Sequence, residues 1–167
     1  MENELLRQLY RKYRRELYLY LYSLCKNHEL AEDLLQETFL KALLALPDGH
    51  TNMRAWLYMV ARNLFFNYHK KEKYIAGMEA VTEIADEDAE EMLERLFVEE
   101  RSRLLYQALQ RLDAAKREVL ILQYFAELTQ KDIAAILHLT PENVRVLGYR
   151  GKHELRKYME EIGYDIS

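Results

Sequence analysis

The sequence is poor in residues that interrupt helices, with two prolines and five glycines among 167 residues. It also has no sustained alternation of Val, Ile and Thr, so strands are not expected and the fold class reads as all-α. The single cysteine, Cys25, excludes an internal disulfide, and no CxxC spacing offers a zinc site. No apolar run approaches the roughly 18 residues that would span a bilayer. The N-terminal stretch MENELLRQLYRKY lacks the apolar core of a signal peptide. A soluble, cytoplasmic protein without membrane insertion is expected. The five histidines are scattered, and neither a glycine-rich phosphate loop nor a Ser/His/Asp set emerges. The reading is therefore of a non-enzyme with no catalytic residue, no cofactor, no metal and no small-molecule substrate. The acids Asp86, Glu87, Asp88, Glu90 and Glu91 lack the Gly-centred spacing of a calcium loop and read as solvated charge.

Half of the residues are apolar, enough for a packed core. The formal net charge of −4 argues, taken alone, against a nucleic-acid binder. Its distribution reverses that conclusion. Residues 81–100, VTEIADEDAEEMLERLFVEE, hold nine acids against one arginine, and the segments on either side are slightly basic. This acidic middle is self-repelling and only weakly periodic, as expected of a linker.

Helical periodicity predicts elements over Glu4–Lys26, Leu30–Ala45, Arg54–Lys73, Arg101–Leu112, Ala114–Ala126, Gln130–Leu137 and Pro141–Glu161. Thr51 or Asn52 can cap the third of these. The expected organisation is two small helical domains, 1–76 and 101–167, joined by an acidic linker over 77–100.

The C-terminal helices carry the most specific pattern. Thr129 with Asp132 forms a helix start, and Ile133, Ala134 and Leu137 give the short helix an inward face. The turn HLT follows, with His138 where such turns often place Gly. Thr140 then caps and Pro141 occupies the first helical position. A short helix, a tight turn and a second helix exposed along one side make a helix-turn-helix. At about 100° per residue, Val144, Leu147, Gly148, Gly151, Leu155 and Tyr158 share one arc of the last helix. The glycines thus lie on a buried stripe, where a neighbouring helix can approach closely. Arg145, Tyr149, Lys152 and Arg156 fall on a separate arc suited to phosphates. Glu142, Arg145, Val146 and Tyr149 lie near the N-terminal end, which usually reaches base edges. A solvated basic face is the competing reading of a charged helix; the caps, turn and proline together favour DNA.

In the third helix, Leu57, Val60, Ala61, Leu64 and Tyr68 form the expected inward stripe. Arg62, Phe66, His69 and Lys73 form the outer face, with Tyr58 and Phe65 alongside and Lys70 at its margin. Aromatics interleaved with cations suit single-stranded DNA, which offers bases to stack and phosphates to hold. The competing reading packs Phe65 and Phe66 against the first helix. On the second helix, Ala31, Leu34, Leu35, Thr38 and Ala42 face inward. Asp33, Gln36, Glu37, Leu40 and Leu44 lie opposite, and an outward apolar strip rimmed by charge points to a protein partner.

The motifs AEDLLQETFLKAL, RAWLYMVARNLFFNYHKK and LQRLDAAKREVLILQYFAELTQKDIAAILHLTPENVRVLGYRGKHELRKYM occur in that order and span nearly the whole chain. Together they resemble bacterial extracytoplasmic-function (ECF) sigma factors of the sigma-70 family. The resemblance implies a region 2-like domain that binds core RNA polymerase and minus-ten DNA, and a region 4-like domain that reads the minus-thirty-five element. It implies polymerase contacts from Asp33, Gln36 and Glu37, beside Leu40. It places Arg62, Asn63, Asn67, Lys70 and Lys71 along the minus-ten strand, beside Phe66 and Lys73. A loop near Tyr74 to Gly77 would receive a flipped base. Arg145, Arg150 and Lys152 match basic positions of the family's recognition helix. The partners implied are core RNA polymerase, promoter DNA and an anti-sigma factor. The sequence departs from the family pattern at Asn67, where aspartate is common, and at LDAAKRE, which replaces a Leu-Pro opening and makes Asp113 the cap. Gly148 and Gly151 stand where Leu and Ala are expected. A free-standing helix-turn-helix regulator and a helical adaptor are the alternative readings.

Overall fold

The computed structural model describes residues 2–45, 52–75 and 100–163. The chain divides into two compact units between residues 87 and 88.

The first unit contains α1 (Glu2–Cys25), α2 (His28–Ala45) and α3 (Met53–Ile75), each packed on the other two. Lys26 ends α1 by taking a left-handed conformation, φ 52°. Asn27 starts α2 at once, its side-chain oxygen accepting from the Leu30 N–H at 3.1 Å. Asn52 does the same for α3, accepting from the Ala55 N–H at 3.2 Å; Thr51 lies outside the described residues. The core is built from α1 residues Leu9, Tyr13, Leu17, Tyr20 and Leu21, joined by Leu34, Leu35 and Phe39 of α2 and Leu57, Tyr58 and Ala61 of α3. Aromatic rings do much of the filling: Tyr10 meets Phe39 edge-on at 5.0 Å, and Tyr20 meets Tyr58 at 5.2 Å between centroids. Rings of this size bury large apolar areas and tolerate such tilted contacts well.

Two expectations for α3 change. Tyr58, expected beside the outer face, is only 1% exposed; Phe65 is buried, as the competing reading had it, whereas Phe66 is exposed. Tyr68, expected inward, is 41% exposed. The reason is that α3 packs on both α1 and α2, so its buried arc is wider than one stripe and is turned towards Tyr58 and Phe65. Tyr58 pays no polar penalty there, because its hydroxyl donates to Glu16 Oε1 at 3.3 Å. Glu16 also pairs with Arg54 at 3.4 Å.

The second unit contains α4 (Glu100–Leu109), α5 (Ala114–Leu120), a π-helical segment (Ile121–Phe125), α6 (Gln130–Leu137) and α7 (Pro141–Glu161). Asp113 caps α5, accepting from the Lys116 N–H at 3.0 Å. Instead of one α-helix to Ala126, the chain widens after Leu120, and the Ala126 N–H reaches back to the Ile121 carbonyl at 3.1 Å. The widened turn accompanies an unbroken buried run from Glu118 to Leu122, more than one face of a regular α-helix can bury. Thr129 caps α6 and Thr140 caps α7, each hydroxyl accepting an N–H at 3.1 Å. Between them His138 adopts φ 58° and ψ 43°, the left-handed turn that ends α6. In α6 it is Ile136, rather than Leu137, that joins Ile133 and Ala134 in the core.

Candidate polymerase and nucleic-acid interfaces

On α2, Asp33, Gln36, Glu37 and Leu40 are all exposed. Leu40 is 54% and Leu44 78% exposed, while Leu34, Leu35, Phe39 and Ala42 on the other side are buried. The helix therefore shows solvent a strip of leucine edged by carboxylates and an amide. Such a strip favours burial against another protein.

The residues predicted along the minus-ten strand sit on α3. Asn63, Phe66, Asn67, Lys70 and Lys71 are exposed, and Arg62 is half-buried. The Arg62 guanidinium lies over the Phe66 ring, 4.4 Å from its centroid, a cation–aromatic pair at the surface. The side chain of Lys73 lies outside the described residues. Helix α3 continues through Tyr74 and Ile75, so the expected loop near Tyr74 to Gly77 does not include those two residues; Ala76 and Gly77 lie outside the described set.

The fold brings two predicted groups together that are far apart in sequence. A cleft of about 450 Å³ between α2 and α3 is lined by Asp33 and Glu37 on one wall and by Asn67, Tyr68 and Lys71 on the other. The carboxylates predicted to meet the polymerase thus share a groove with part of the predicted minus-ten set. Neither helix shows this alone, since the cleft depends on how the two pack.

On α7 the buried side chains are Val144, Gly148, Gly151 and Met159, so both glycines do lie on the packed stripe. Between Arg145 and Lys157 the exposed residues are Arg145, Tyr149, Arg150, Lys152, His153, Arg156 and Lys157, with no acid among them. Val146 is half-buried. Two α7 carboxylates are tied to other helices: Glu154 accepts from Lys116 at 2.6 Å, and Glu161 pairs with Arg111 at 3.1 Å. Tyr149, 68% exposed, stacks on His153 at 6.0 Å. Lys152 is not purely outward. Its ammonium sits 4.9 Å from the Tyr124 ring centre, and with Arg156 it edges an apolar groove of about 410 Å³ that includes Leu105, Leu109 and Leu155. Sequence reasoning missed Tyr124, because the π-helical segment alters the register of that part of the chain.

At the start of α7, Glu142 and Arg145 form a fork. Arg145 Nε donates to one carboxylate oxygen at 3.2 Å, and Nη2 donates to the other. The hydrogen bond from Arg145 holds the Glu142 carboxyl below its ordinary range, and the carboxylate in turn raises the guanidinium.

The geometry defines a class: a helical protein with a capped helix-turn-helix in one unit and, in the other, a charged apolar strip beside an aromatic and cationic helix face. Sigma-70 region 2 matches residues 9–74, and sigma-70 region 4 matches residues 102–155. The RNA polymerase sigma factor YlaC of Bacillus subtilis (strain 168) is 36% identical over 158 residues, covering 90% of each chain. The ECF RNA polymerase sigma factor SigM of the same organism is 30% identical over 153 residues, covering 89% of this chain and 91% of SigM. The solved structure of sigma factor RpoE in complex with the anti-sigma factor NepR from Bartonella quintana shares the fold, with a TM-score of 0.74 and 22% identity over 92% of this chain and 96% of that one. The chain belongs to the sigma-70 family and, within it, to the ECF sigma factors. Its function is that of a transcription initiation factor, with core RNA polymerase and promoter DNA as partners. Sigma factors are not enzymes. No helix among the described residues is long and apolar enough to cross a membrane.

Proposed function

We propose that the labour of promoter recognition divides along the chain. Residues 1–76 form the domain that docks on core polymerase, through Asp33, Gln36, Glu37 and Leu40. The same domain captures melted minus-ten DNA, with Phe66 stacking a base and Arg62, Asn63, Asn67, Lys70, Lys71 and Lys73 lying along the strand. Residues 101–167 grip the duplex minus-thirty-five element through α7. There Glu142, Arg145, Val146 and Tyr149 approach base edges, and Arg150, Lys152 and Arg156 approach phosphates. The acidic stretch 77–100 sets the distance between the two activities. The protein works in the cytoplasm, where the polymerase is. An anti-sigma factor is a further partner, by likeness to RpoE, which was solved with NepR.

The observation that carries this reading is the exposed Leu40 and Leu44 among Asp33, Gln36 and Glu37. A helix that leaves leucines in water beside fixed charge is suited to a specific protein surface. Co-elution with bacterial core RNA polymerase tests it. The full-length protein should co-elute, and a variant carrying Asp33→Lys with Leu40→Glu should not. If the variant still co-elutes, α2 is not the docking face. If the wild-type fails to co-elute and yet binds duplex DNA, a free-standing regulator is the better description.

A further inference from the structure

Glu142 is an unusual residue for a surface meant to meet DNA. The exposed side chains that follow it through Lys157 include no acid, and Glu154 and Glu161 are tied to Lys116 and Arg111. Glu142 alone combines exposure with a place in the first turn of α7, the end of a recognition helix that comes nearest to base edges. A carboxylate there repels phosphates, so it weakens sequence-independent binding. It does interact favourably with the helix N-terminus, but any acid in that turn would do the same. What is particular to Glu142 is the fork: both of its oxygens accept from Arg145. The fork joins an acceptor and a set of donors into one unit on the outer face of the helix.

The major groove has a matching edge. A C·G pair shows the cytosine N4 amino donor beside the guanine O6 and N7 acceptors. A carboxylate accepts from cytosine N4, and arginine donates to guanine O6 and N7. A T·A pair presents the thymine O4 acceptor where cytosine has its donor, and an oxygen facing the Glu142 carboxylate is repelled. We propose that Glu142 selects a cytosine in the minus-thirty-five element, and that its fork directs Arg145 to an adjacent guanine edge instead of to a phosphate. This rests on reading α7 as the minus-thirty-five helix. Glu142 then has two effects: it contacts a base itself and it positions Arg145.

The test uses the holoenzyme assembled from core polymerase and the full chain, with duplex promoters randomised across the upstream element. Bound DNA is sequenced for the wild-type and for Glu142→Ala, Glu142→Asp and Arg145→Ala. The wild-type is expected to prefer cytosine over thymine at one position by at least about fivefold. Glu142→Ala should flatten that position, weaken the guanine preference beside it, keep the preferences elsewhere in the element and bind random duplex more tightly at low salt. Glu142→Asp keeps the charge at the helix start but is too short to hold the fork, so it too should lose the preference. Unchanged selection in both Glu142 variants overturns the proposal and leaves Glu142 a helix-stabilising acid. A wild-type profile with no upstream preference at any position overturns the reading of α7 and this inference with it. A cytosine preference that survives Glu142→Ala but vanishes with Arg145→Ala marks Arg145 as its reader and overturns the role given to Glu142.

Discussion

A β-carbon placed on Gly151 would lie 3.1 Å from Leu120 Cδ1 and 3.4 Å from Lys116 Cβ. Leu120 is 1% exposed, and Lys116 is held by both Asp113 and Glu154. Neither can give way easily. Around Gly148 the nearest atom is instead Gln123 Oε1 at 3.2 Å, the tip of a flexible side chain. Alanine is favoured over glycine in a helix by roughly 1 kcal/mol, whereas overpacking a core costs about 1–3 kcal/mol. Gly148→Ala should therefore stabilise the second unit by about 0.5–1 kcal/mol. Gly151→Ala should destabilise it by about 1 kcal/mol. Thermal unfolding of the two variants should show opposite displacements of the transition. Equal displacements would mean that close packing does not distinguish the two sites.

Reversing charge on α7 should separate the proposed DNA face of that helix from the proposed docking face on α2. The double variant Arg145→Glu with Lys152→Glu is expected to weaken upstream promoter binding on the order of a hundredfold while co-elution with polymerase is unchanged. Circular dichroism should accompany the measurement, because Arg145→Glu sets two acids three residues apart on the helix. Retention of upstream binding would show that this face does not meet DNA.

Acid should erase the contribution of one cap. The backbone N–H of Lys116 and the Lys116 ammonium hold the Asp113 carboxyl below its ordinary value. A carboxyl lowered in the folded state adds stability above its unfolded pKa and loses it as the pH falls through the folded one. Asp113→Ala should thus cost about 1 kcal/mol near neutral pH. The gap from the wild-type should narrow below about pH 4. Denaturant titrations at neutral and acid pH test this, and a gap that is constant with pH would exclude the charged cap.

Alkali should act on the first unit through Tyr58. Burial, and then the nearby Glu16 carboxylate, raise this phenol well above the ordinary tyrosine value. A raised folded pKa means that the neutral phenol's contribution is present below about pH 10 and is lost as the pH rises towards the folded value. Tyr58→Phe should lower stability at neutral pH by about 1 kcal/mol through the lost hydrogen bond to Glu16. It should also lose less stability than the wild-type on going to pH 11. Equal alkaline losses in the two proteins would place the sensitive tyrosine elsewhere.

Much of this molecule was legible from local pattern. The caps at Asp113, Thr129 and Thr140, the bounds of α6 and α7, and the burial of Gly148 and Gly151 follow from side chains that act within a turn or along one helix face. The exposed strip of Asp33, Gln36, Glu37, Leu40 and Leu44 was visible for the same reason, since helical periodicity assigns a residue to a face before any partner is known. The sequence by itself thus determined where the helices run and which residues can reach solvent together. Only the tertiary structure decided how wide each buried arc is. Tyr58 and Phe65 are inside because two helices cover α3, and Tyr68 is outside because the buried arc is turned away from it. Packing also set Asp33 and Glu37 across a cleft from Asn67 and Lys71, and seated Lys152 on Tyr124 beside a π-helical turn. These relationships depend on the relative placement of separate helices, a sum of many small contacts between residues distant in sequence that no single helical period contains.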